Sequence, residues 1–364
     1  MIDYSTEAET LRILRAHAEN AEHNDRPAAE SLEALRKTGV FALRTPREYG
    51  GAWADAETVA RCLTDLGRAC PSTAWIAGTC VTSKNITAKC FPDAVVSEIF
   101  TDPDALLCGT GVPAGQGERV PGGVRVNGRW PNVSGCEDAA WAGFALLIDG
   151  ELSFAVVPAA DLTIERTWHM AGMRATGSHT LVAEDLLVSE ERVASAERLA
   201  AGNPFAFGDL MLYAMTALGP VVGAAQGALD AINAMFASDR KPFMTAYSRM
   251  GESPGARHWL AEATHLVNRA ENTMLAVARE ADTAELSEAD NARLHMALAD
   301  AGRDCRAAVE RMLDLHGASG FHNANVLQRY WRDVAVASRH PHLNPYLATE
   351  TFGTGLAQHH APRA

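Results

Sequence analysis

The segments Trp130-Pro131-Asn132-Val133-Ser134-Gly135-Cys136 and Gly172-Met173-Arg174-Ala175-Thr176-Gly177-Ser178 decide how this sequence is interpreted. Each combines glycines and hydroxyl side chains with one large or charged residue. Glycine lets a backbone turn sharply and approach a ligand closely, and hydroxyl groups both donate and accept hydrogen bonds. Taken alone, either segment could be a capped turn or a hairpin tip. Together they predict two turns that bind a flat ligand.

The region around both segments, residues 105–200, has the pattern of β-strands joined by tight turns. Apolar runs such as Ala145-Leu146-Leu147-Ile148 are separated by Gly122-Gly123, Asn127-Gly128 and Asp149-Gly150, which favour two-residue hairpin turns. This pattern predicts a small antiparallel β barrel or sandwich.

Helical patterns flank this region on both sides. Residues 1–104 carry apolar positions at helical spacing, and residues 201–364 contain long stripes such as Leu294, Leu298, Ala301 and Cys305. These stripes are typical of a packed core and predict an antiparallel four-helix bundle. We therefore expect an α+β protein with a helical domain at 1–104, a β domain at 105–200 and a helical bundle with a tail at 201–364.

Composition limits the functional classes. The 364 residues carry a formal net charge of −13, which argues against nucleic-acid binding, because such proteins concentrate Lys and Arg. Seven cysteines without Cys-x-x-Cys spacing predict no disulfide framework and favour a cytoplasmic location. No run approaches the roughly 20 apolar residues that a membrane span needs, so no membrane segment is expected, and the first residues do not resemble a secretory signal.

Two further segments carry residues suited to chemistry. His340 is a candidate acid or base, because the ordinary pKa of His, about 6.5, lies near neutrality. His340-Pro341-His342 is a poor metal pair, since no other ligand lies at suitable spacing, and no metal site is expected. His316-Gly317-Ala318-Ser319-Gly320-Phe321 is either a helix end or a place where backbone amides approach a phosphate.

The order of domains resembles the acyl-CoA dehydrogenase fold, and several motifs strengthen the resemblance. The segment His316–Phe321 is similar to that superfamily's His-Gly-Gly-x-Gly-Tyr segment, and Gly172–Ser178 is similar to a Gly-x-Arg-x-Thr/Ser turn of its β domain. The dehydrogenases use a Glu to take the substrate's α-proton. The two corresponding places here read Ser338-Arg339-His340-Pro341 and Tyr213, without a carboxylate.

A branch of the same fold, the oxygenase components of two-component flavin-dependent monooxygenases, matches better. Its Cys-Pro/Ala-Ser-Thr-Ala-Trp motif resembles Cys70–Trp75, and its Gly-Gly-x-x-Val-x-Gly-x-Trp-x-x-x-Ser-Gly motif resembles Gly122–Gly135. Its Arg-Asp…Arg-His-x-x-x-Asn tail resembles the segment from Arg332 to Asn344. The resemblance covers nearly the whole chain.

This resemblance implies the following function. Reduced FMN or FAD, supplied by a separate NAD(P)H flavin reductase, would react with O2 to form a flavin hydroperoxide, which hydroxylates a small aromatic or natural-product substrate. Ser134 and His340 would be catalytic, and the homotetramer typical of the fold would share flavin sites between subunits. Ser134 would hydrogen-bond the flavin ring and Trp130 would pack on it. Arg174, Thr176 and Ser178 would hold either the ring or the phosphate. The phosphate would also contact Arg249, His316, Gly317, Ser319 and Gly320.

Lys84 and Asn85 are the predicted substrate residues. Lys84 stands where many relatives have His, and it would either hold an anionic substrate or extend to solvent at a helix end. Two alternative functions are an acyl-CoA dehydrogenase or oxidase acting on an acyl thioester, and a non-catalytic binding protein that keeps the fold.

Overall fold

The computed structural model describes residues 8–359, so the predicted tail beyond residue 359 lies outside the described residues. The contacts divide the chain into two compact units. The first, called the sheet unit, contains the chain up to Asp55, Ser72–Met170 and Arg174–Asp209. The second, called the bundle unit, contains Ala56–Pro71, Ala171–Met173 and the chain from Leu210 onward. The three-domain division at 1–104, 105–200 and 201–364 stays a prediction.

The helices confirm that helical segments flank a strand-rich region. In chain order they are α1 (Ala8–His23), α2 (Ala29–Lys37), α3 (Ala56–Ala69), α4 (Pro71–Cys90), α5 (Asp93–Ile99), α6 (Ala196–Gly202), α7 (Phe207–Ala237), α8 (Pro254–Thr283), α9 (Glu288–His316), α10 (Val326–Ala337) and α11 (Pro345–His359).

One seven-stranded sheet forms the core of the sheet unit. Its strands are β1 (Leu107–Val120), β2 (Gly123–Val133), β3 (Trp141–Ile148), β4 (Glu151–Pro158), β5 (Thr163–Glu165), β6 (His179–Val188) and β7 (Val193–Ala194). They are hydrogen-bonded in the order β5-β6-β2-β1-β3-β4-β7. All neighbours run antiparallel except β1 and β3, which are parallel.

The sheet is therefore mixed, and the prediction of a purely antiparallel β domain is wrong in this respect. The reason is the connection 134–140. Because β2 returns antiparallel to β1, it ends beside the beginning of β1, and this short loop crosses that end to start β3. The amides of Ala140 and Trp141 both donate to the carbonyl of Leu106, just before β1. Ser134 is the first residue of this crossing loop.

Within the bundle unit, α3 packs closely against α7 through glycines. A methyl group at Gly223 would lie 2.2 Å from the Thr64 carbonyl oxygen, and one at Gly67 would lie 2.8 Å from the Pro220 carbonyl oxygen. The small residues on this face of α7 therefore allow the two helices to pack closely. The stripe from Leu294 to Leu315 on α9 is buried, as expected for a bundle core.

The long helix α7 also passes a length and composition test for a membrane span, contrary to the expectation that no segment would. In its most apolar 18-residue window, 83% of the residues are buried inside the protein. The core helix of a soluble protein passes the same test, so this single helix is weak support for a membrane segment.

Candidate active site

Two turns of the sheet unit, residues 134–138 and 174–178, lie against each other. The amide of Gly135 donates to the Thr176 carbonyl over 2.8 Å, and the Cys136 thiol lies 3.6 Å from the Gly177 carbonyl. Gly135 and Gly177 have φ angles of 71° and 50°, in the left-handed region that glycine adopts without a steric penalty. The glycines that the sequence singled out therefore make the two turns possible.

Three predicted site residues meet between these turns, and we call Ser134, Thr176 and Ser178 the hydroxyl cluster. The Ser178 hydroxyl oxygen lies 2.7 Å from that of Ser134 and 2.6 Å from that of Thr176. All three side chains are buried, and Ser134 keeps 5% of its surface exposed. The three hydroxyls form one continuous hydrogen-bonded chain with Ser178 at its centre.

Trp130 does not belong to this cluster, and its predicted contact with a ligand ring is wrong. Its indole is fully buried, donates from Nε1 to the Ala145 carbonyl over 2.7 Å, and packs on Phe144 with ring centroids 4.2 Å apart. Any side chain at Gly115 or Gly128 would overlap this indole. The residue is part of the sheet core, where it fills the space that two glycines leave.

Arg174 is half-exposed and pairs with Asp25, its Nε lying 2.7 Å from the carboxylate. Asp25 and its neighbour Arg26 connect α1 to α2, and Arg26 pairs with Asp138 on the first turn. The sequence reasoning missed both residues, because nothing in the local pattern indicates that the α1–α2 connection reaches these turns.

The predicted substrate role of Lys84 is also wrong. The side chain is fully buried, and its ammonium donates to the carbonyls of Phe41 and Pro103 and to the Thr45 hydroxyl at 2.6–3.1 Å. Three acceptors use all three N–H groups of a lysine. Because α4 is buried at this position, the side chain does not extend to solvent either, so both readings of Lys84 fail.

Asn85 is fully buried and engaged by charged neighbours. Its carbonyl oxygen accepts from Arg44 Nε at 2.8 Å, and its amide donates to Asp209 at 3.0 Å. Asp209 in turn pairs with Lys89. These contacts make Asn85 part of an internal polar network, and the prediction that it contacts a substrate is wrong.

One exposed segment of β1 near this end of the sheet was overlooked. The pairing of β1 with β3 shifts between Thr110 and Gly115, and residues 111–114 are exposed, with Val112 57% accessible. The antiparallel register of β1 and β2, extended from Gly115 opposite Gly128, places this bulge alongside the end of β2 that leads to Ser134. The Gly109-Thr110-Gly111 sequence was a signal for it.

In the bundle unit, His340 is half-buried at the start of the short helical turn Pro341–Leu343. Its Nδ1 accepts a hydrogen bond from the His342 amide at 3.4 Å, so the proton of the neutral ring resides on Nε2. Its ring lies 5.1 Å from that of His342, which stacks on His295 at 6.4 Å. Burial lowers the pKa of His340 to about 4 and, together with the two neighbouring imidazoles, that of His342 to about 3.

No group of three His, Cys, Asp or Glu residues within 8–359 is arranged to hold a metal ion. His342 stacks on His295 and is tilted against His340, and neutral rings at neutral pH make such close packing possible.

The turn that starts at His316 also lies in the bundle unit, where Arg240 holds it. The Arg240 guanidinium donates to the His316 carbonyl at 2.6 Å and to the Ser319 hydroxyl at 3.0 Å. Gly317 has a φ of 79°, and Gly320 is buried against Leu313. Arg249 pairs instead with Asp239 at 3.2 Å and is largely exposed. Arg240, which follows α7 by three residues, is the cation that the sequence reasoning missed here.

Comparison with known proteins agrees with this architecture. The family described as acyl-CoA dehydrogenase, N-terminal domain, matches residues 7–88, and that described as acyl-CoA dehydrogenase, C-terminal domain, matches residues 215–345. The FADH(2)-dependent resorcinol hydroxylase, oxygenase component, of Rhizobium sp. (strain MTP-10005) is 29% identical, with 95% of this chain and 90% of that protein covered.

Two further relatives match over a similar length. The flavin-dependent monooxygenase, oxygenase subunit HsaA, of Rhodococcus jostii (strain RHA1) is 30% identical, with 95% of both chains covered. The structure of XiaF from Streptomyces sp. in complex with FADH2 and glycerol superposes with a TM-score of 0.91 at 29% identity, covering 98% of this chain and 94% of that chain. The chain therefore belongs to the acyl-CoA dehydrogenase superfamily, in its branch of oxygenase components of two-component flavin-dependent monooxygenases.

Proposed function

We propose that this oxygenase component hydroxylates a small aromatic substrate and receives its reduced flavin, FMN or FAD, from a separate NAD(P)H-dependent reductase. The observation that carries the proposal is the hydroxyl cluster on two cross-linked turns of a chain that matches such oxygenases over nearly its whole length. By their names, one of these relatives is an FADH(2)-dependent resorcinol hydroxylase and the other is a flavin-dependent monooxygenase.

The chemistry of the donor set fits the polar edge of a flavin ring. Each hydroxyl has one proton, and three hydroxyls joined by two internal contacts use two protons between them. The third proton remains for an acceptor outside the cluster. If Thr176 donates to Ser178 and Ser178 to Ser134, the Ser134 hydroxyl presents that proton to a ring nitrogen or carbonyl. Trp130 has no part in this, and Ser134, Thr176, Ser178 and Arg174 are the proposed ring contacts.

When bound, the reduced flavin supplies the electrons and the ring on which O2 is activated. The chain's own residues orient that ring, exclude water and control protons. We assign to His340 the role of a hydrogen-bond donor from Nε2 to the substrate oxygen. An imidazole with a pKa of about 4 is a weak base, so removal of a proton from a phenol, whose pKa is near 10 as in Tyr, is unfavourable by roughly 6 pKa units.

The phosphate end of the flavin is proposed to contact the turn of His316, Gly317, Ser319 and Gly320, together with Arg249, from a neighbouring subunit. This proposal implies a homotetramer in solution. Light scattering tests it, since a particle of four chain masses is expected and a monomer in the presence of flavin would contradict it. The proposed location is the cytoplasm, where thiols stay reduced; within residues 8–359 all seven cysteines are buried thiols that form no disulfide.

The central experiment supplies chemically reduced FMN or FAD, isotopically labelled O2 and a panel of phenols and indoles to the purified chain. We expect a product that carries one labelled oxygen atom. Ser134→Ala and His340→Asn should each lower the yield of product per reduced flavin about tenfold or more, since positioned proton donors typically contribute at least that much. Labelled product from the double variant at the wild-type yield would overturn the residue assignment, and no flavin affinity in the wild type would overturn the function.

A further inference from the structure

The short connection between α1 and α2 places two consecutive residues of opposite charge against the two turns of the active site. Asp25 Oδ1 accepts from Arg174 Nε at 2.7 Å. Arg26 donates from Nε and Nη2 to the two oxygens of Asp138 at 3.0 and 2.5 Å. Asp25 has a φ of 51°, an unusual left-handed conformation that Asp tolerates better than most residues. One pair thus holds each turn.

These contacts differ from ordinary surface ion pairs in geometry and burial. The Arg26–Asp138 pair is bidentate, which fixes both direction and distance. The side chain of Asp138 is only 17% exposed and that of Asp25 27%. Arg26 also donates to the Glu137 carbonyl at 3.4 Å, so it contacts the backbone of the first turn as well.

Apolar contacts anchor the same connection. Ala21 and Ala28, on either side of Asp25 and Arg26, pack with Ala175 of the second turn in a small buried cluster. The Asp25 carbonyl lies so close that a methyl group on Gly177 would approach it to 3.0 Å. The connection is therefore seated on the second turn, and its position is set by packing as well as by charge.

The two turns are thereby fixed relative to each other at two places. The hydrogen bond from the Gly135 amide to the Thr176 carbonyl joins them directly. The consecutive residues Asp25 and Arg26 join them a second time, since Asp25 pairs with Arg174 on one turn and Arg26 pairs with Asp138 on the other. The hydroxyl cluster lies within this frame, and its contact between Ser134 and Ser178, at 2.7 Å, spans the two turns. A small change in their separation would break that contact, because hydroxyl hydrogen bonds weaken steeply with distance and angle.

We propose that Asp25 and Arg26 are positioning residues for the reaction. Through their two ion pairs, which we call the clasp, they connect the turns 134–138 and 174–178. In this way they set the alignment of the hydroxyl cluster toward the flavin. This proposal rests on the proposed function. It predicts that loss of the clasp lowers the coupling, which is the yield of hydroxylated product per reduced flavin. When the hydroxyls of the cluster are misaligned, O2 oxidises the reduced flavin without forming product.

The test uses Arg26→Gln, the charge-swapped pair Arg26→Asp with Asp138→Arg, and Arg12→Gln as a matched control. Arg12 lies on α1 and pairs only with the exposed Glu9 among the described contacts. Arg26→Gln is expected to lower the product per reduced flavin about fivefold, and hydrogen peroxide should rise in proportion. A fivefold change corresponds to a free-energy difference of about 1 kcal/mol. The swapped pair is expected to restore at least half of the coupling, and the control to match wild type.

Amide hydrogen exchange at Gly135 provides a readout that needs no flavin. Its exchange is expected to rise about fivefold in Arg26→Gln and to return toward wild type in the swapped pair. Unchanged exchange and coupling in Arg26→Gln, or equal losses in the single and swapped variants, would overturn the clasp. If wild type binds no flavin, the proposed function fails, and the exchange measurement still decides whether the clasp joins the turns.

Discussion

Lys84 is the residue whose position in the structure differs most from its expected role. Replacing it by Met keeps most of its length but removes the ammonium donor to Phe41, Thr45 and Pro103. The Pro103 carbonyl keeps the Thr45 hydroxyl as a donor at 2.9 Å, so the loss falls mainly on the Phe41 carbonyl and the Thr45 oxygen. Each unsatisfied buried acceptor costs on the order of 1 kcal/mol or more, partly offset because no ammonium is buried. We expect Lys84→Met to lower the free energy of unfolding by about 2 kcal/mol in urea titrations, with KM for the aromatic substrate unchanged.

Lys37→Met is the matched control, since the Lys37 side chain is 73% exposed and, among residues 8–359, its ion pair is with Glu33 on the same face of α2. It is expected to change stability by less than about 0.5 kcal/mol. A rise in KM with unaltered stability in Lys84→Met would restore the substrate role that the burial of this residue contradicts.

At the scale of single residues, the sequence predicted which side chains lie close together better than it predicted which side chains are buried. Ser134, Thr176 and Ser178 could be grouped because two short motifs each carry glycines that force a turn. The positions of Trp130 and Lys84 could not be predicted, because a sequence shows a residue's type and chain neighbours but not which face of a strand or helix is buried. For Trp130 the decisive partners, Gly115 and Gly128, lie on two different strands.

The two turns form an element whose function depends on its central hydroxyl. Ser178→Ala removes the oxygen that both Ser134 and Thr176 contact, so the Ser134 hydroxyl loses the hydrogen-bond partner that fixes its orientation. We expect hydroxylated product per reduced flavin to fall about tenfold, while flavin affinity changes less than threefold because the proposed ring contact of Arg174 is not altered. Fluorescence titration measures affinity, and chromatography measures product.

Thr180→Ala serves as the control for this variant. Thr180 is on the same strand end and its hydroxyl contacts Thr167 outside the cluster, so coupling should stay at the wild-type value. Full coupling in Ser178→Ala would show that Ser134 needs no aligned neighbour.

The helical turn at His340 makes stability depend on pH. Native His340 and His342 have pKa values of about 4 and 3, below the value of about 6.5 in an unfolded chain. The unfolded state therefore binds more protons than the native state in this range. The contribution of these two histidines to the free energy of unfolding is fully present above pH 6.5 and is lost as the pH falls. His342→Phe removes one of the two groups and keeps a flat ring.

Urea titrations at pH 6.5 and 4.5 measure the effect. For a native pKa near 3, the His342 contribution to the fall in unfolding free energy over this interval is about 2 kcal/mol. The fall in His342→Phe should be smaller than in wild type by that amount. An equal fall in both proteins would mean that His342 keeps an ordinary pKa, and that the stacked imidazoles are open to water.

Among the elements, helices and strands were predicted because their apolar periodicity is local. The parallel pairing of β1 with β3 was not, because it depends on where the loop 134–140 crosses the sheet, and loop direction leaves no periodic signal. The packing of α3 on α7 was not predicted either, because it depends on residues that lie far apart in the sequence, such as Gly67 against Pro220.

For the whole molecule, the decisive question is whether the chain oxidises a thioester or activates oxygen. The places that carry a catalytic Glu in acyl-CoA dehydrogenases hold a buried Tyr213 on α7 and the segment from Ser338 to Pro341. The Ser338 side chain is occupied structurally, since it accepts from Arg306 at 2.8 Å and donates to the Val334 carbonyl at 2.5 Å. Neither position supplies a carboxylate with which to remove an α-proton.

We therefore expect that acyl-CoA substrates of short, medium and long chain do not bleach the absorbance of oxidised flavin in the presence of this protein. Proton removal next to a thioester carbonyl needs a positioned base, and the loss of such a base costs a factor of about 100 or more. The matched control is the same preparation given reduced flavin and O2, which should form hydroxylated phenol and so demonstrate an active protein. Thioester-dependent bleaching, with flavin retained tightly through gel filtration, would instead place the chain among the dehydrogenases or oxidases of this fold.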